Sequence, residues 1–282
     1  MHYRFGYLLN KRYIFLKYIN YGAFSQIWLI YDFIQNEYCV GKVIDESNID
    51  TGINEITVLR KIKRLMISNN NICNNLLLFK EIIESEKEII IIENLQDLNL
   101  KDLIYDYNLE NEEKDLLIEL ITKQLNPVLL FLKNNSILHT DIKPENIFIK
   151  IKNNNNNNIK NEFNDFIKEI KNLKCKPKDK IKEINKIINS YHQNSLFSSY
   201  LNSSDCDSNT DSDDSDYDIN TDSDIISDYD INDNINDFLN QIIYKKKDKD
   251  KKKKKINFNI NDCIFSIGDF GNAIDYSLIM NH

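Results

Sequence analysis

Long hydrophobic runs are missing from this 282-residue chain: no apolar stretch approaches the ~18 residues that a membrane span requires. Arg4, Lys11 and Arg12 interrupt the N-terminal region, which argues against a secretory leader. Cysteine is sparse. Cys39, Cys73, Cys175, Cys206 and Cys263 are odd in number and contain no C-x-x-C pair, which argues against a disulfide framework and a zinc site and fits a reducing compartment. The expectation is a soluble protein of the cytoplasm and/or nucleus, with no membrane partner.

An excess of basic charge is also missing. The net charge is −8, and most of it belongs to one segment: Leu201 to Lys255 holds 15 Asp against nine Lys, which leaves −2 for the rest. A near-neutral remainder carries no strong nucleic-acid signature. The Lys block from Lys245 to Lys255 reads as a solvated charge run beside the acidic tract, or as a nuclear-localisation or nucleic-acid patch.

Composition divides the chain into three. Residues 1–150 have ordinary globular patterning. Residues 151–255 hold the Asn run Asn153 to Asn158, a Ser/Asp-rich tract and the Lys block, and such sequence buries too little apolar surface to offset chain entropy. This insert is expected to be largely disordered, although Phe163, Phe166, Ile167 and Ile170, and again Ile181, Ile184, Ile187 and Ile188, have near-helical spacing that would suit one or two docked helices. Its Ser-Asp repeats are candidates for a kinase substrate or a partner-anchoring tail. Residues 256–282 form a short globular tail.

Along residues 1–150, Tyr13 to Ile19, Ile27 to Phe33 and Tyr38 to Ile44 read as strands, with turns at 20–23 and at Gln35-Asn36. Asp50 to Ile67 reads as a helix carrying Ile53, Ile56, Leu59 and Ile62 every third residue. Leu76 to Phe79 and Glu88 to Glu93 read as further strands. A helix from Asn111 to about Lys133 is expected to kink or end early at Pro127. The resulting class is α+β: a β-rich unit with one helix, then a mainly helical unit.

Four stretches carry chemistry. In His139-Thr140-Asp141-Ile142-Lys143-Pro144-Glu145-Asn146, an Asp is followed by a Lys two residues later and an Asn five residues later. That spacing suits phosphoryl transfer, with Asp141 accepting the substrate hydroxyl proton, Lys143 facing the transferring group and Asn146 holding magnesium. Asp269-Phe270-Gly271 follows a strand, and its Asp would chelate magnesium bridging ATP phosphates. Lys42, on the third strand, would pair with those phosphates and with a helix carboxylate, for which Glu55 is the best placed. In Asn20-Tyr21-Gly22-Ala23-Phe24-Ser25-Gln26-Ile27 only Gly22 of three template glycines remains, with Asn20 available for a left-handed turn. Taken singly, the last three also fit a chance tripeptide, an exposed ion pair and an ordinary hairpin; their order along the chain favours one site.

In that order the stretches resemble the protein kinase superfamily, and within it the SR-protein kinases that phosphorylate Arg/Ser-rich splicing factors. The resemblance covers residues 3–150 and about 263–273. It rests on the lead-in Gly6 to Tyr13, Gly22-Ala23-Phe24-Ser25 with Trp28, the loop His139 to Asn146, Gly271-Asn272-Ala273, and a long spacer between the loop and Asp269. The dual-specificity splicing kinases, with a similar loop, are the second resemblance. It implies a bilobal kinase-like fold with a five-stranded antiparallel sheet, and the cofactors ATP and Mg2+. It also implies a nucleotide site of Ile19, Asn20, Gly22, Ser25, Ile27 and Lys42, with the backbones of Glu93 and Leu95 meeting adenine and Ile92 behind them as gatekeeper. Val40 replaces a usual Ala under adenine, which tightens the site. Thr140 stands where most kinases have an Arg that pairs with a phosphorylated activation loop, so turnover should not need that phosphorylation, and Thr140→Arg should leave it largely unchanged.

The activation segment and remaining large-lobe helices of such kinases have no counterpart after Ala273 in the 282 residues, so a C-terminally incomplete lobe is expected. The implied function is transfer of the ATP γ-phosphate to Ser or Thr of protein substrates, Arg/Ser-rich ones first. The alternative is a catalytically incomplete kinase fragment or pseudokinase, binding nucleotide or a partner through its charged insert.

Overall fold

The computed structural model describes residues 3–22, 24–68, 75–152, 158–174, 180–192, 231–244 and 253–278. Its first unit is a twisted antiparallel sheet. β1 (Leu8–Leu9), β2 (Tyr13–Gly22), β3 (Ser25–Asp32), β4 (Glu37–Asp45), β5 (Phe79–Glu84) and β6 (Glu88–Asn94) lie in the order β1-β2-β3-β4-β6-β5. Six strands therefore replace the expected five, because the two-residue β1 pairs with the start of β2. β5 begins where the strand expected at Leu76 was to end; Leu76 instead bridges to Ile267. The β3–β4 turn closes at Asn36 with φ 57°, a left-handed geometry that Asn tolerates better than most residues.

Strand alternation gives this sheet two faces. Tyr13, Phe15, Trp28, Ile30, Cys39, Val43, Ile90 and Ile92 bury one another on the outer face. On the inner face, Ile44, Ile89 and Ile91 join α1 (Ile49–Ser68) and the core of the second unit, whereas Ile14, Leu16, Leu29 and Tyr31 form a separate cluster. α1 buries Ile56, Val58, Leu59 and Ile62. Ile53, expected on that buried face, is exposed instead.

The second unit comprises β7 (Leu98–Asn99), α2 (Leu100–Asp106), β8 (Tyr107–Asn108), α3 (Asn111–Asn134), β9 (Ile137–Leu138) and β10 (Ile147–Ile151). Of the two outcomes expected at Pro127, the early end does not occur: α3 continues through it to Asn134. The proline ring removes one backbone hydrogen bond, while Leu125, Val128, Phe131 and Leu132 bury the same stretch and hold it helical.

Three helices lie inside the segment expected to lack structure: α4 (Asn158–Lys171), α5 (Lys180–His192) and α6 (Ile231–Tyr244). α4 and α5 fall where the near-helical spacing suited docked helices, α6 alone corrects the expectation of disorder, and all three are held by docking. Phe163, Phe166, Ile167 and Ile170 of α4, with Ile184, Ile187 and Ile188 of α5, bury against Phe5, Leu16, Leu29 and Leu95. Gly6, at φ 83°, makes room for α5, since a Cβ there would fall 2.6 Å from Ile188. α6 packs Ile235, Leu239 and Ile243 into the core around α3, where the Thr122 hydroxyl donates to Asn236 Oδ1 at 2.5 Å. The Ser/Asp-rich repeats, Ile181's side chain and most of the Lys block lie outside the described residues.

The chain then returns through β11 (Lys254–Lys255), which pairs parallel with β8, and β12 (Cys263–Ile267), antiparallel to β10. β13 (Ile274–Asp275) pairs with β9. These last two pairings bring residues 139–146 and 268–273 side by side. Among the described residues no helix is long and apolar enough to cross a membrane.

Candidate active site

Lys42 projects from β4 on the inner face and Glu55 from α1. Their Nζ and Oε1 stand 2.8 Å apart, and the same Nζ lies 2.7 Å from Asp269 Oδ1. Sequence separations of 13 and 227 residues thus close on one ammonium group. Burial alone would lower the Lys42 pKa, but the carboxylates of Glu55, Asp269 and Glu93 outweigh it and hold the side chain charged. Burial raises the Glu55 pKa against the pull of Lys42. Asp269 is also opposed by burial, yet Lys42, with His139 and Lys143 behind it, keeps its carboxyl below the usual range.

Asp269 has φ 62°, a left-handed conformation rarely adopted by a side-chain-bearing residue. Gly268 before it is a close-approach glycine: a Cβ would lie 2.9 Å from the Phe148 ring and 3.1 Å from Leu77. Phe270 is fully buried and meets His139 at 4.7 Å between ring centroids. His139 Nε2 lies 2.9 Å from the Gly268 carbonyl, while Nδ1 accepts from the Asp141 backbone N–H at 3.3 Å. Burial depresses the imidazole pKa, consistent with a neutral ring donating through Nε2.

The loop itself is held by Asn146. Its Nδ2 donates to the Asp141 carbonyl at 2.9 Å and to Asp141 Oδ2 at 3.1 Å, and its backbone carbonyl accepts from Gly268 N–H at 3.1 Å. Lys143 Nζ lies 2.8 Å from Asp141 Oδ2. Asp141 thus offers a carboxylate steered by an amide and an ammonium. Since Nδ2 is the atom engaged with Asp141, the amide oxygen of Asn146 is left for a cation, alongside the Asp269 carboxylate. An all-oxygen donor pair suits magnesium, which is commonly held by one or two protein oxygens together with phosphates and water. When bound, magnesium supplies positive charge to phosphate oxygens.

Thr140 has φ 65°, and its hydroxyl donates to the Asn272 carbonyl at 2.7 Å. Where an Arg would seek a phosphate, this residue ties the loop directly to the segment after Asp269. A second tie had no signal in the sequence. Asn54 Nδ2 on α1 donates to the carbonyls of Gly271 (3.1 Å) and Ala273 (3.0 Å), and Lys61 Nζ reaches Asp275 Oδ1 at 2.6 Å. Neither residue sits in a motif, and their partners lie more than 200 residues away.

The β2–β3 hairpin roofs the cleft. Ile27 pairs directly with Lys42 across β3 and β4, Ser25 is buried, and Gly22 pairs with Ser25 at the hairpin end; Ala23 lies outside the described residues. Ile19 is exposed beside an irregularity between Tyr18 and Asn20. Asn20 does not use the left-handed geometry expected of it. It stays within β2, and its Oδ1 accepts from Tyr21 N–H at 2.7 Å.

The strand register also changes the back of the cleft. Val40 pairs with Glu93 and Lys42 with Ile91, so Glu93 and Ile91 share the face of Lys42. Ile92 points the other way, into the outer-face cluster with Ile90 and Cys39. It cannot be the gatekeeper expected from the resemblance, and the side chain facing the cleft there is Glu93. Leu95 buries its side chain under α4 and α5, and its carbonyl accepts from Lys150 Nζ at 3.2 Å.

Known proteins agree with this geometry. The profile of the protein kinase domain matches residues 13–166, more than half of the chain. Serine/threonine-protein kinase prpf4B of Dictyostelium discoideum is 30% identical over 149 residues, covering 52% of this chain and 18% of that protein. Serine/threonine-protein kinase SKY1 of Saccharomyces cerevisiae is 28% identical over 152 residues, covering 50% and 20%. Protein kinase dsk1 of Schizosaccharomyces pombe is 28% identical over 148 residues, covering 50% and 27%. The chain therefore spans between 18% and 27% of the length of these curated relatives. With Lys42, Glu55, Asp141, Asn146 and Asp269 gathered on this fold, the chain belongs to the protein kinase domain family.

Proposed function

We propose that the protein transfers the γ-phosphoryl group of magnesium-bound ATP to Ser or Thr hydroxyls of proteins. The observation that carries this reading is the double engagement of Lys42 by Glu55 and Asp269, facing a loop in which Asn146 and Lys143 both contact Asp141. Lys42 meets the phosphates, Asp269 and Asn146 hold magnesium, and Asp141 Oδ accepts the proton of the attacking hydroxyl. Lys143 stands beside that carboxylate, where it balances charge on the transferring group.

Arg/Ser-rich proteins are the substrate class we favour. Support comes from the H-T-D-I-K-P-E-N loop and the G-N-A segment, which resemble SR-protein kinases. Purified full-length chain, ATP and magnesium, with an Arg/Ser-repeat peptide and a Ser peptide lacking Arg, test both levels. Phosphate incorporation that Asp141→Asn reduces by at least a hundredfold supports transfer, and preference for the first peptide supports the substrate class. Nucleotide binding without transfer from wild type would favour the non-catalytic alternative.

A further inference from the structure

β12 lies at the edge of its sheet, which runs β12-β10-β7, so a strand covers only one side of it. Its last residue, Ile267, stands just before Gly268 and Asp269, so the position of β12 sets that of the Asp269 carboxylate. On the other side, side chains stand in for the missing strand. Gln124 on α3 accepts from the Phe265 N–H through Oε1 at 3.0 Å and donates through Nε2 to the Cys263 carbonyl at 3.1 Å. Asn75, between α1 and β5, donates through Nδ2 to the Phe265 carbonyl at 2.6 Å and to Gln124 Oε1 at 3.0 Å. Backbone bonds complete this edge: Ile267 N–H donates to the Asn75 carbonyl at 2.9 Å, and Leu77 N–H to the Ile267 carbonyl at 2.8 Å. A backbone N–H only donates and a carbonyl only accepts, so β12 dictates which way the Gln124 amide faces. Neither amide belongs to a sequence motif, and the partners of Gln124 on β12 lie 139 and 141 residues away.

We propose that Gln124 is a positioning residue for Asp269, acting through β12 on the affinity of the site for magnesium. The proposal rests on the magnesium-ATP reading above and adds to it a residue that no motif marks. α3 runs on toward the loop that carries Asp141 and Asn146, β12 runs on to Asp269, and α1, which precedes Asn75, carries Glu55. The two linked amides therefore tie together the three elements that bear or lead into the site. The ladder with β10 holds β12 from one side, and Gln124 sets its distance from α3 on the other. Magnesium demands near-ideal octahedral geometry, so the spacing between the Asp269 and Asn146 oxygens has to be held closely. Without the Gln124 amide, the Phe265 N–H and the Cys263 carbonyl lose their partners. The strand must then shift or admit water to satisfy them. That displacement passes along the chain to Asp269.

The test is calorimetric titration of the full-length chain with ATP, once with magnesium and once with EDTA, well below the unfolding temperature. The ratio of the two affinities isolates the share that the metal contributes. In wild type, magnesium should tighten ATP binding. Gln124→Met keeps the length of the side chain and removes both of its hydrogen-bonding groups. It should lower the ratio by roughly tenfold or more, the range usual for groups that orient a metal's ligands, and leave the magnesium-free affinity near wild type. A residue with a merely structural role would lower the urea midpoint and leave the ratio unchanged, and that result overturns the proposal. Asn75→Ala covers the case in which methionine prevents folding. It removes the donor to Phe265 and Gln124, keeps the backbone bonds of that residue, and should move the ratio the same way by a smaller factor; an unchanged ratio there also counts against the proposal. If wild type transfers phosphate while the variants keep the full ratio, the ATP reading survives alone. If wild type binds no ATP, or binds it equally with and without magnesium, both fall.

Discussion

Removing Lys42 tests the centre of the site through stability alone. The Lys42 side chain is 12% exposed and that of Glu55 only 2%, which makes theirs a buried ion pair, not a surface one. Lys42→Met keeps an unbranched stem of similar reach but leaves Glu55, Asp269 and Glu93 around an uncharged group. Glu55 already has its folded-state pKa raised by burial, and without Lys42 the influences left on it are mainly raising ones. A carboxyl whose folded pKa exceeds its unfolded value binds its proton more tightly when folded. It therefore penalises folding at high pH, and the penalty fades as pH falls toward the unfolded value. Glu93 shifts in the same direction. The Lys42→Met deficit should thus be about 3–5 kcal/mol at pH 8, the cost of stranding a buried charge. It should shrink to about 1 kcal/mol near pH 5, where mainly stem packing differs. At roughly 2–4 °C per kcal/mol for a chain of this size, thermal unfolding followed by circular dichroism should show a Tm loss of about 6–20 °C at pH 8. The double variant Lys42→Met with Glu55→Leu removes the stranded carboxyl and should recover more than half of that loss. A deficit of equal size at pH 5 and pH 8, or a double variant no better than the single one, would refute the reasoning.

Other consequences are more local. Phe166 is fully buried and meets Phe5 at 4.9 Å, so Phe166→Ala should cost about 3–5 kcal/mol in urea unfolding if α4 is part of the cooperative core. An unchanged midpoint would mean that α4 does not belong to it. Asn54→Leu removes the donor shared by the Gly271 and Ala273 carbonyls and should cost about 1–3 kcal/mol. It should also speed amide exchange over residues 269–275, and unaltered exchange there would dismiss the tie. Cys39 and Cys263 are buried thiols, each pushed up to about 12 by burial first and neighbouring carboxylates second. Iodoacetamide at pH 8 should leave both unmodified in native protein, as read by peptide mass spectrometry; rapid labelling of either would contradict its placement.

Much of the site was legible because its spacing is local. Asp141, Lys143 and Asn146 lie within six residues, and one loop conformation must bring them together. β2, β3, β4 and α1 were legible from periodicity, and the Asn36 turn from its residue type. Helix α3 was legible in extent but not in its passage through Pro127, because the packing that holds that turn comes from other elements. The docked helices were half legible. Their apolar spacing showed in the sequence, but not the surface that would cover it, and α6 gave no signal among its Asn and Asp residues.

The sequence by itself determined the inventory: which side chains could do phosphoryl-transfer chemistry, in what order, and on which kind of element. Tertiary structure decided the pairings. Lys42, Glu55 and Asp269 converge only because β12 returns beside β10 after more than 100 intervening residues, and no local propensity encodes that closure. It also decided which of two adjacent residues faces the cleft. Side chains alternate along a strand, so a shift of one residue in register exchanges Ile92 for Glu93. That register is set by the whole β4–β6 ladder from Cys39 to Asp45, and by the apolar clusters on either side of the sheet.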